Sequence, residues 1–360
     1  METVVLNSAF WQGKRVLLTG HTGFKGSWLA LWLEQLGAQV TGFALAPPTQ
    51  PSLYELARVG EGVSSHIGDL RDLEALQAVV RSAQPEIVLH LAAQPLVRES
   101  YRDPLGTYAS NLMGTLHLLE AVRDIGTVRS CVLVTTDKVY ANHEWLWPYR
   151  ENEPLGGHDP YSSSKACCEL LAQSYAASFF HPSRYAEHGL ALATARAGNV
   201  LGGGDFAADR LIPDVLAAWS RCEPVILRYP QAVRPWQHAL EPLAGYLQLA
   251  QGLYEQGPAL AGAWNFGPAD TDMCRVGQVV EHLAQHWPDC PGLRIEPAEL
   301  HEAGLLRLDS TRARQLLGWL PRWDLQQCLA ATLEWHQAWR GGQDMRSVTL
   351  QQLASYRGQA

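Results

Sequence analysis

The strongest constraint on the fold is a glycine-rich turn near the start of the chain. Residues 15–19 (RVLLT) form a short apolar run that predicts a buried strand, and an apolar helical stretch follows from Ser27 to Leu36. Between them stand Gly20, Gly23 and Gly26, in the spacing G-x-x-G-x-x-G. Glycines allow a tight turn and a close approach of the backbone to a ligand, and the N-terminus of a helix attracts anions. Strand, turn and helix together predict a dinucleotide-binding site.

The rest of the first half alternates between strand and helix patterns. Apolar runs occur at 39–45, 87–91, 131–135 and 190–196, and helical patterns occur at 72–82, 105–125 and 161–178. This alternation predicts an α/β protein with a Rossmann-type, doubly wound parallel sheet. After about residue 200 helices dominate, with one strand-like island at 263–266. We expect a Rossmann domain over residues 1–200, to which 235–268 return, and a smaller, discontinuous substrate domain made of 201–234 and 269–360.

Charge and cysteine content limit the classes of partner. The 360 residues carry a formal net charge of −8 with acids and bases interspersed, so no basic stripe favours nucleic acid. Seven cysteines without a C-x-x-C pair favour reduced thiols over disulfides or a zinc site. The longest apolar stretch, Trp28 to Leu33, is far shorter than the roughly 20 residues of a membrane helix. We expect a cytoplasmic protein with no nucleic-acid, membrane or metal partner.

Two further positions near the glycine turn bear on the cofactor. Lys25 could pair with a pyrophosphate oxygen, and His21 could hydrogen-bond nearby. The second predicted strand ends in Gly42–Ala46 (GFALA), which has neither the acid that binds an adenosine ribose nor an arginine. The local residues therefore do not separate NAD from NADP. Asp69 and Leu70, after the next strand-like run, could contact an adenine, the alternative being an ordinary helix N-cap.

A second pattern, Y-x-x-x-K, places Tyr161 and Lys165 on one face of the predicted helix at 161–178. A tyrosine with its ordinary pKa of about 10 is a poor base at neutral pH. An adjacent ammonium would lower that pKa. Tyr161 could then accept a proton from a substrate hydroxyl while a hydride leaves the same carbon. Together with the glycine turn, the pair predicts a hydride-transfer site.

The triplet Thr136, Asp137 and Lys138 directly follows the predicted strand at 131–135. Ligands of open α/β sheets bind at the carboxyl ends of the strands, so the triplet is placed to meet a substrate. A carboxyl beside an amine could act as acid and base in the removal of water across two neighbouring carbons. The alternative is a solvated turn.

Six segments together resemble the extended short-chain dehydrogenase/reductases, and among them the nucleotide-sugar 4,6-dehydratases. They are GHTGFKGSWL, LHLAAQPLVRESY, TTDKVY, PYSSSK, ARAGNVLGGGDFAADRLIPD and VRPWQHALEPLAGYL. Dehydratases acting on dTDP-glucose carry Asp-Glu after the threonine. The branch acting on CDP-glucose resembles this chain in its Asp-Lys and in the histidine and lysine of the glycine turn. The resemblance implies bound NAD and conversion of CDP-glucose to its 4-keto-6-deoxy derivative.

The resemblance also implies roles for individual residues. Tyr161 would take the proton of the sugar 4-hydroxyl, Thr136 would hydrogen-bond the 4-oxygen, Lys138 would remove the C5 proton and Asp137 would protonate the departing 6-hydroxyl. The expected NAD contacts are Gly20, His21, Gly23, Phe24, Lys25, Gly26, Asp69, Leu70, Leu91, Ala92, Ala93, Thr135, Tyr161 and Lys165. The expected substrate contacts are Gln94, Thr136, Arg196, Asn199, Arg210, Arg234 and His238, with a surface or interdomain ion pair as the alternative for Arg196 and Arg210.

Two other functions remain open at this point. A nucleotide-sugar 4-epimerase would share Tyr161 and Lys165 but would not need Asp137 and Lys138 as an acid–base pair. A non-catalytic dinucleotide sensor could dispense with the Y-x-x-x-K pair, which this chain has. In the resembling family the helices matching 105–125 and 161–178 pack against a second subunit, which implies a homodimer or homotetramer.

Overall fold

A seven-stranded parallel sheet forms the centre of the protein. The computed structural model describes residues 6–269, 272–296 and 304–358. Its strands are β1 Arg15–Thr19, β2 Gln39–Ala44, β3 Ser64–Ile67, β4 Ile87–His90, β5 Ser130–Val134, β6 Ala191–Ala197, β7 Val200–Leu201, β8 Val225–Leu227, β9 Val233–Pro235, β10 Gln237–His238, β11 Gly262–Phe266, β12 Met273–Arg275 and β13 Leu293–Ile295. The large sheet has the order β11-β6-β5-β4-β1-β2-β3, with every neighbouring pair parallel. The predicted Rossmann-type fold is confirmed.

Helices cover both faces of this sheet. They are α1 Ser8–Trp11, α2 Phe24–Gln35, α3 Leu53–Leu56, α4 Leu73–Ala83, α5 Val97–Arg102, α6 Pro104–Tyr108, α7 Gly114–Arg123, α8 Pro160–Ser178, α9 Tyr185–His188, α10 Leu211–Ser220, α11 Leu240–Gln256, α12 Val276–Gln285, α13 Leu325–Arg340 and α14 Met345–Gly358. None of the helices in the described ranges is long and apolar enough to cross a membrane. α4, α7 and α8 share one core with Leu17 of β1, while α2 and α11 share the other with Val16 and Leu18. The middle of β1 is apolar because both of its faces are buried.

The predicted helix at 105–125 contains an irregular turn. A π-helical turn at Ala109–Met113 joins α6 to α7. Within it, the Asn111 amide donates to the Gln94 carbonyl at 3.1 Å and to the Ser164 hydroxyl at 2.9 Å. These bonds tie the helix to the segment after β4 and to α8. Such turns are frequent at functional sites, and this one lies beside the helix that carries Tyr161.

Within the described ranges, the second half of the chain adds one strand to the large sheet and forms three two-stranded sheets. β11 pairs with β6, so the segment 235–268 does contribute to the sheet. β7 pairs with β10, β9 with β12 and β8 with β13. α14 packs against α2, where the rings of Trp32 and Tyr356 lie 5.7 Å apart between centroids. The division of the chain into two domains stays a prediction.

Candidate active site

The predicted chemical groups gather at the carboxyl edge of the large sheet. The glycine turn follows β1, residues 91–93 follow β4 and residues 135–138 follow β5. Tyr161 and Lys165 lie in the first turns of α8, which packs against the short 3₁₀ helix Asp137–Val139. Parallel strands bring all of these segments to one rim, where open α/β sheets bind their ligands.

Three glycines shape the turn between β1 and α2. Gly20 has a φ of +79°, which side chains rarely adopt, and a Cβ there would lie 2.7 Å from the Ala92 nitrogen. A Cβ on Gly26 would overlap the Gly20 carbonyl. The Gly23 position is open, because the nearest atom to its Cβ would be the Gly20 oxygen at 3.4 Å. Gly23 is also the N-cap of α2 and supplies no side-chain cap, so the first N–H groups of the helix are available to an anion.

Two buried polar atoms near this turn have no hydrogen-bond partner among the residues that the structure describes. One is Nδ1 of His21, whose Nε2 pairs with the Ser65 hydroxyl at 2.7 Å. Burial lowers the pKa of His21 to about 4, so its imidazole is neutral at pH 7. The other atom is the hydroxyl of Tyr246 on α11. Together with the open Gly23 position and the uncapped helix, these atoms fit a polar, phosphate-bearing cofactor.

The carboxyl ends of β2 and β3 expose apolar side chains. Leu45 is 59% exposed and Ile67 is 58% exposed. Asp69 follows β3, and its hydrogen bond from Arg71 lowers the pKa of its carboxyl. The N-cap of α4 is Asp72, so Asp69 is not an ordinary helix cap. Exposed leucine and isoleucine beside a charged carboxylate suit a flat ring that carries polar edges, such as adenine.

Lys25 extends toward the catalytic groups. Its Nζ lies 5.8 Å from the ring centroid of Tyr246. Burial, together with the charges of Lys165 and Arg210, lowers the pKa of Lys25 to about 7, and Asp137 opposes the shift. The contact of Lys25 with a pyrophosphate stays a prediction. Its ammonium interacts electrostatically with Lys165, Arg210 and Asp137.

The triplet after β5 combines a buried carboxyl with a hydroxyl. Asp137 is 3% exposed, and its Oδ1 accepts a hydrogen bond from the Thr136 hydroxyl at 3.0 Å. Burial raises the pKa of Asp137, while the charges of Lys138 and Arg234 oppose the rise. An aspartic acid with a raised pKa keeps its proton to a higher pH and can donate it. Lys138 is half-buried beside it.

Tyr161 and Lys165 lie on one face of α8, and the catalytic role of the lysine stays a prediction. Its Nζ donates to the Val134 carbonyl at 3.1 Å, and burial lowers its pKa. Burial raises the pKa of Tyr161 to about 12, opposed by a hydrogen bond with Thr136 and by the charge of Arg210. The prediction of a lowered tyrosine pKa is therefore wrong for this arrangement, because desolvation of the phenolate outweighs the nearby cations.

Comparison with known proteins decides the family. The model of the family described as GDP-mannose 4,6 dehydratase matches residues 17–332. The chain belongs to the GDP-mannose 4,6-dehydratase family. A CDP-glucose 4,6-dehydratase of Salmonella typhimurium is 50% identical over 353 residues, which are 98% of this chain and 98% of the relative.

Solved structures show how widely this dehydratase fold is shared. A UDP-glucose 4-epimerase of Thermus thermophilus in complex with NAD has 26% identity and a TM-score of 0.77, covering 90% of this chain and 99% of its own. A dTDP-glucose 4,6-dehydratase of Streptomyces venezuelae with NAD bound has 24% identity and a TM-score of 0.77, covering 92% and 99%. Because epimerases and dehydratases share the architecture, the residues of the site must separate the two reactions.

In this member of the dehydratase family, two predicted substrate arginines act on the catalytic groups. Arg210 pairs with Asp205 at 2.9 Å, and its charge opposes the rise in the pKa of Tyr161. Arg234, on β9, opposes the rise in the pKa of Asp137. The Gln94 amide donates to the Thr107 hydroxyl at 2.9 Å, and the Asn199 carbonyl accepts from the Gln237 N–H at 3.3 Å. Contacts of these four residues with a substrate stay predictions.

The structure brings two other predicted substrate residues into the core instead of the cleft. Arg196 is 1% exposed, and its guanidinium forms a two-pronged ion pair with Glu169 at 3.0 and 2.8 Å. His238 is fully buried between the rings of Trp28 and Trp323, at centroid distances of 5.7 and 5.1 Å. Burial lowers the pKa of His238 to about 3, so it is neutral. Neither side chain is accessible to a ligand, and we leave both out of the proposed substrate site.

Several residues of the site were not predicted from the sequence. Asn111 is a lone asparagine in a helical pattern, and nothing in its neighbourhood marks it. Tyr246 lies on α11, inside the segment VRPWQHALEPLAGYL, which was quoted for the resemblance without a role for this tyrosine. An ion pair of 2.8 Å between Arg98 and Asp209, two residues that also lie in quoted segments, joins α5 to the segment that carries Arg210. Glu169 had a signal of its own, because it follows Lys165 by four residues and so shares its helix face.

Proposed function

We propose that this chain is an NAD-dependent CDP-glucose 4,6-dehydratase. The observation that carries the proposal is the buried Asp137, whose pKa is raised by burial, beside Thr136 and Tyr161, on a chain that is 50% identical to a CDP-glucose 4,6-dehydratase over almost its full length. A 4-epimerase needs to move a hydride and one hydroxyl proton. A dehydratase also needs an acid for the departing hydroxyl, and Asp137 supplies one.

The residues at the glycine turn would hold NAD. Gly20, Gly23 and Gly26 let the backbone approach the pyrophosphate, the N-terminus of α2 faces it, and the edge at Leu45 and Ile67 receives the adenine. When bound, NAD supplies the hydride acceptor for oxidation at C4 and returns the hydride to C6. Further contacts come from the segments after β3, β4 and β5, namely Asp69, Leu70, Leu91, Ala92, Ala93 and Thr135.

The protein's own groups move the protons. Tyr161 accepts the proton of the sugar 4-hydroxyl, and Thr136 hydrogen-bonds that oxygen. Because the pKa of Tyr161 is raised, its free phenol stays protonated at neutral pH. Loss of the phenol proton therefore depends on substrate binding and on the charge of Arg210. The resulting 4-ketone acidifies the proton on C5, which Lys138 removes. Asp137 gives its proton to the 6-hydroxyl, which leaves as water, and Lys138 returns its proton to C5 when the hydride is added at C6.

Charged side chains across the cleft would bind the nucleotide diphosphate. The charge of Arg210 acts on Tyr161, and the charge of Arg234 acts on Asp137. Each arginine is therefore near enough to bind a substrate that contacts these two groups. The planar guanidinium binds two phosphate oxygens at once. We assign the surrounding substrate-binding region to residues 201–234 and 269–360.

We further propose that the protein is a homodimer, or a dimer of dimers. Five large apolar side chains are exposed on or next to α5–α8: Tyr101, Leu105, Met113, Leu170 and Phe179. Leu105 is 84% exposed, and a group of exposed apolar side chains on one face marks a surface that contacts another protein. A two-fold contact would cover the same face on both copies. Light scattering at micromolar concentration should show at least a dimer, and a monomer would contradict the assignment.

We place the protein in the cytoplasm. All seven cysteines are free thiols, and three of them, Cys131, Cys168 and Cys328, are buried. Reduced thiols are typical of the cytoplasm. Fractionation with thiol labelling should find the protein there with its accessible cysteines reduced.

Incubation with CDP-, dTDP-, UDP- and GDP-glucose, with NAD added, tests the function. We expect CDP-glucose to yield a product lighter by one water, with a 4-keto-6-deoxy sugar by NMR. A product of unchanged mass but inverted C4 would identify an epimerase. Tight NAD binding without conversion of any nucleotide sugar would identify a sensor. A preference for another base would keep the reaction and reject CDP-glucose as the substrate.

A further inference from the structure

A buried charge network lies directly behind the catalytic triplet. Glu169 of α8 and Arg196 of β6 are each 1% exposed and form the two-pronged pair described above. The same carboxylate accepts hydrogen bonds from the hydroxyls of Thr135 at 2.6 Å and Thr194 at 2.7 Å. Every oxygen of Glu169 therefore has two donors, so the buried charge is fully compensated.

The remaining nitrogen of Arg196 reaches past the triplet. Its Nη1 donates to the Tyr140 hydroxyl at 2.8 Å and to the Glu151 carbonyl at 3.0 Å. The Tyr140 hydroxyl in turn donates to the Asn265 side chain of β11 at 2.7 Å. Thr135 directly precedes the triplet and Tyr140 follows it after one intervening residue, Val139, so one ion pair holds the chain on both sides of residues 136–138.

The triplet itself has little local support. Within the 3₁₀ turn, the Val139 N–H lies 3.5 Å from the Thr136 carbonyl, and the Lys138 N–H lies 3.4 Å from the Thr136 hydroxyl. Both distances are at the long limit for a hydrogen bond. Catalytic groups must be held to within about 0.5 Å by their supporting residues. The long local bonds do not provide that accuracy, whereas the network on both sides does.

Stability alone does not explain a buried ion pair, because well-packed apolar side chains of the same volume are often as stable. A fully satisfied polar network instead fixes one geometry. We propose that Glu169 and Arg196 form a clamp, acting through Thr135 and Tyr140, that positions Asp137 and Lys138 for the elimination of water. They are positioning residues, not catalytic ones, and this role rests on the proposed dehydratase function.

The clamp makes an asymmetric prediction. Tyr140 is attached on the side of Asp137 and Lys138, whereas Tyr161 is carried by α8. Loosening Tyr140 should therefore disturb elimination more than the first oxidation. Glu169→Gln is a poor test, because it leaves the Arg196 charge buried without its partner, and the loss of stability would hide any effect on positioning. Tyr140→Phe removes only the hydroxyl.

Tyr356→Phe is the matched control. Tyr356 is fully buried, and its hydroxyl donates to the Glu241 carboxylate at 2.9 Å, remote from the triplet. Parent and both variants are loaded with NAD and mixed with CDP-glucose in single-turnover experiments. The absorbance of the reduced cofactor follows the first step, and mass spectrometry of the product follows elimination. Melting temperatures show whether the two variants lose comparable stability.

We expect Tyr140→Phe to form reduced cofactor within about twofold of the parent rate, and to release 4-keto-6-deoxy product about 10- to 100-fold more slowly. Reduced cofactor should then accumulate, which a general loss of stability does not cause. Tyr356→Phe should match the parent in both steps. Equal slowing of both steps in Tyr140→Phe, or an unchanged product rate, overturns the clamp. If the parent itself releases no water from any nucleotide sugar, the proposed function fails instead.

Discussion

The glycine turn makes its sharpest prediction at Gly23 and Gly26, where one added methyl group meets different surroundings. At Gly26 the Cβ would overlap the Gly20 carbonyl and crowd the His21 Cα, all of them backbone atoms that cannot rotate away. At Gly23 the nearest protein atom is 3.4 Å away, an ordinary contact, and φ is −80°. Gly23→Ala should therefore change the free energy of unfolding little, because the gain of about 0.4–1 kcal/mol from restricting the unfolded chain offsets the poorer fit of alanine at a helix N-cap.

Overpacking at Gly26 should lower the free energy of unfolding by about 1–3 kcal/mol. Both substitutions should weaken NAD binding, but for different reasons. At Gly23 the methyl group meets no protein, so a loss of affinity must come from contact with the ligand. We expect about tenfold or more at this position, one short contact being worth about 1.4 kcal/mol or more.

Thermal melting and calorimetric titration with NAD separate the two effects. The predicted pattern is an unchanged melting temperature with weakened binding for Gly23→Ala, and a lowered melting temperature with weakened binding for Gly26→Ala. Parental NAD affinity in Gly23→Ala would mean that the pyrophosphate does not approach this turn. An unchanged melting temperature in Gly26→Ala would refute the steric argument.

Three further substitutions test the other parts of the site. Tyr161→Phe should fold and bind NAD normally while turnover falls by about 10²-fold or more, the scale of a lost general base; near-normal turnover would remove Tyr161 from its role. The double variant Asp137→Asn, Lys138→Met should still reduce the cofactor but form 6-deoxy product at least about 10²-fold more slowly, and absence of reduction despite normal binding would assign the triplet to oxidation. His238→Phe should make stability less sensitive to acid. The pKa of His238 is lowered to about 3 in the folded state, so the stability that the neutral imidazole contributes is present above the unfolded pKa of about 6.5 and is lost as pH falls, about 2 kcal/mol by pH 5. Denaturant titrations at pH 7 and pH 5 measure the free energy of unfolding, and an equal change between the two pH values in parent and variant would contradict this.

The fold and the catalytic motifs could be predicted because their signals are local. Each apolar run became a strand near its predicted position, and the G-x-x-G-x-x-G and Y-x-x-x-K spacings depend only on neighbouring residues. The partner of Arg196 could not be found in this way. An arginine suits a phosphate and a carboxylate equally, and Glu169 meets it only after α8 has packed against β6. The burial of His238, which was predicted as a substrate contact, could not be found either. Its aromatic neighbours, Trp28 and Trp323, are about 200 and 85 residues away along the chain and meet it only in the fold.

The pKa shifts in the site were the second feature that could not be predicted from the sequence. The sequence places a lysine one turn from Tyr161 but does not show how much water surrounds either side chain. In the structure burial controls both groups, raising the pKa of the tyrosine and lowering that of the lysine. The same burial raises the pKa of Asp137 and so favours its assignment as the acid. The direction of a pKa shift depends on how much water surrounds the group in the folded site, and residue spacing alone does not show this.

The central claim is that one hydride leaves C4 and returns to C6 of the same sugar. CDP-glucose labelled with deuterium at C4 and with ¹³C in the sugar ring, mixed with unlabelled CDP-glucose and incubated with the enzyme and NAD, tests it most directly. The account predicts a 4-keto-6-deoxy product in which the deuterium of each labelled molecule lies at C6 of that molecule. Deuterium that remains at C4 in a product of unchanged mass would contradict the account and identify an epimerase.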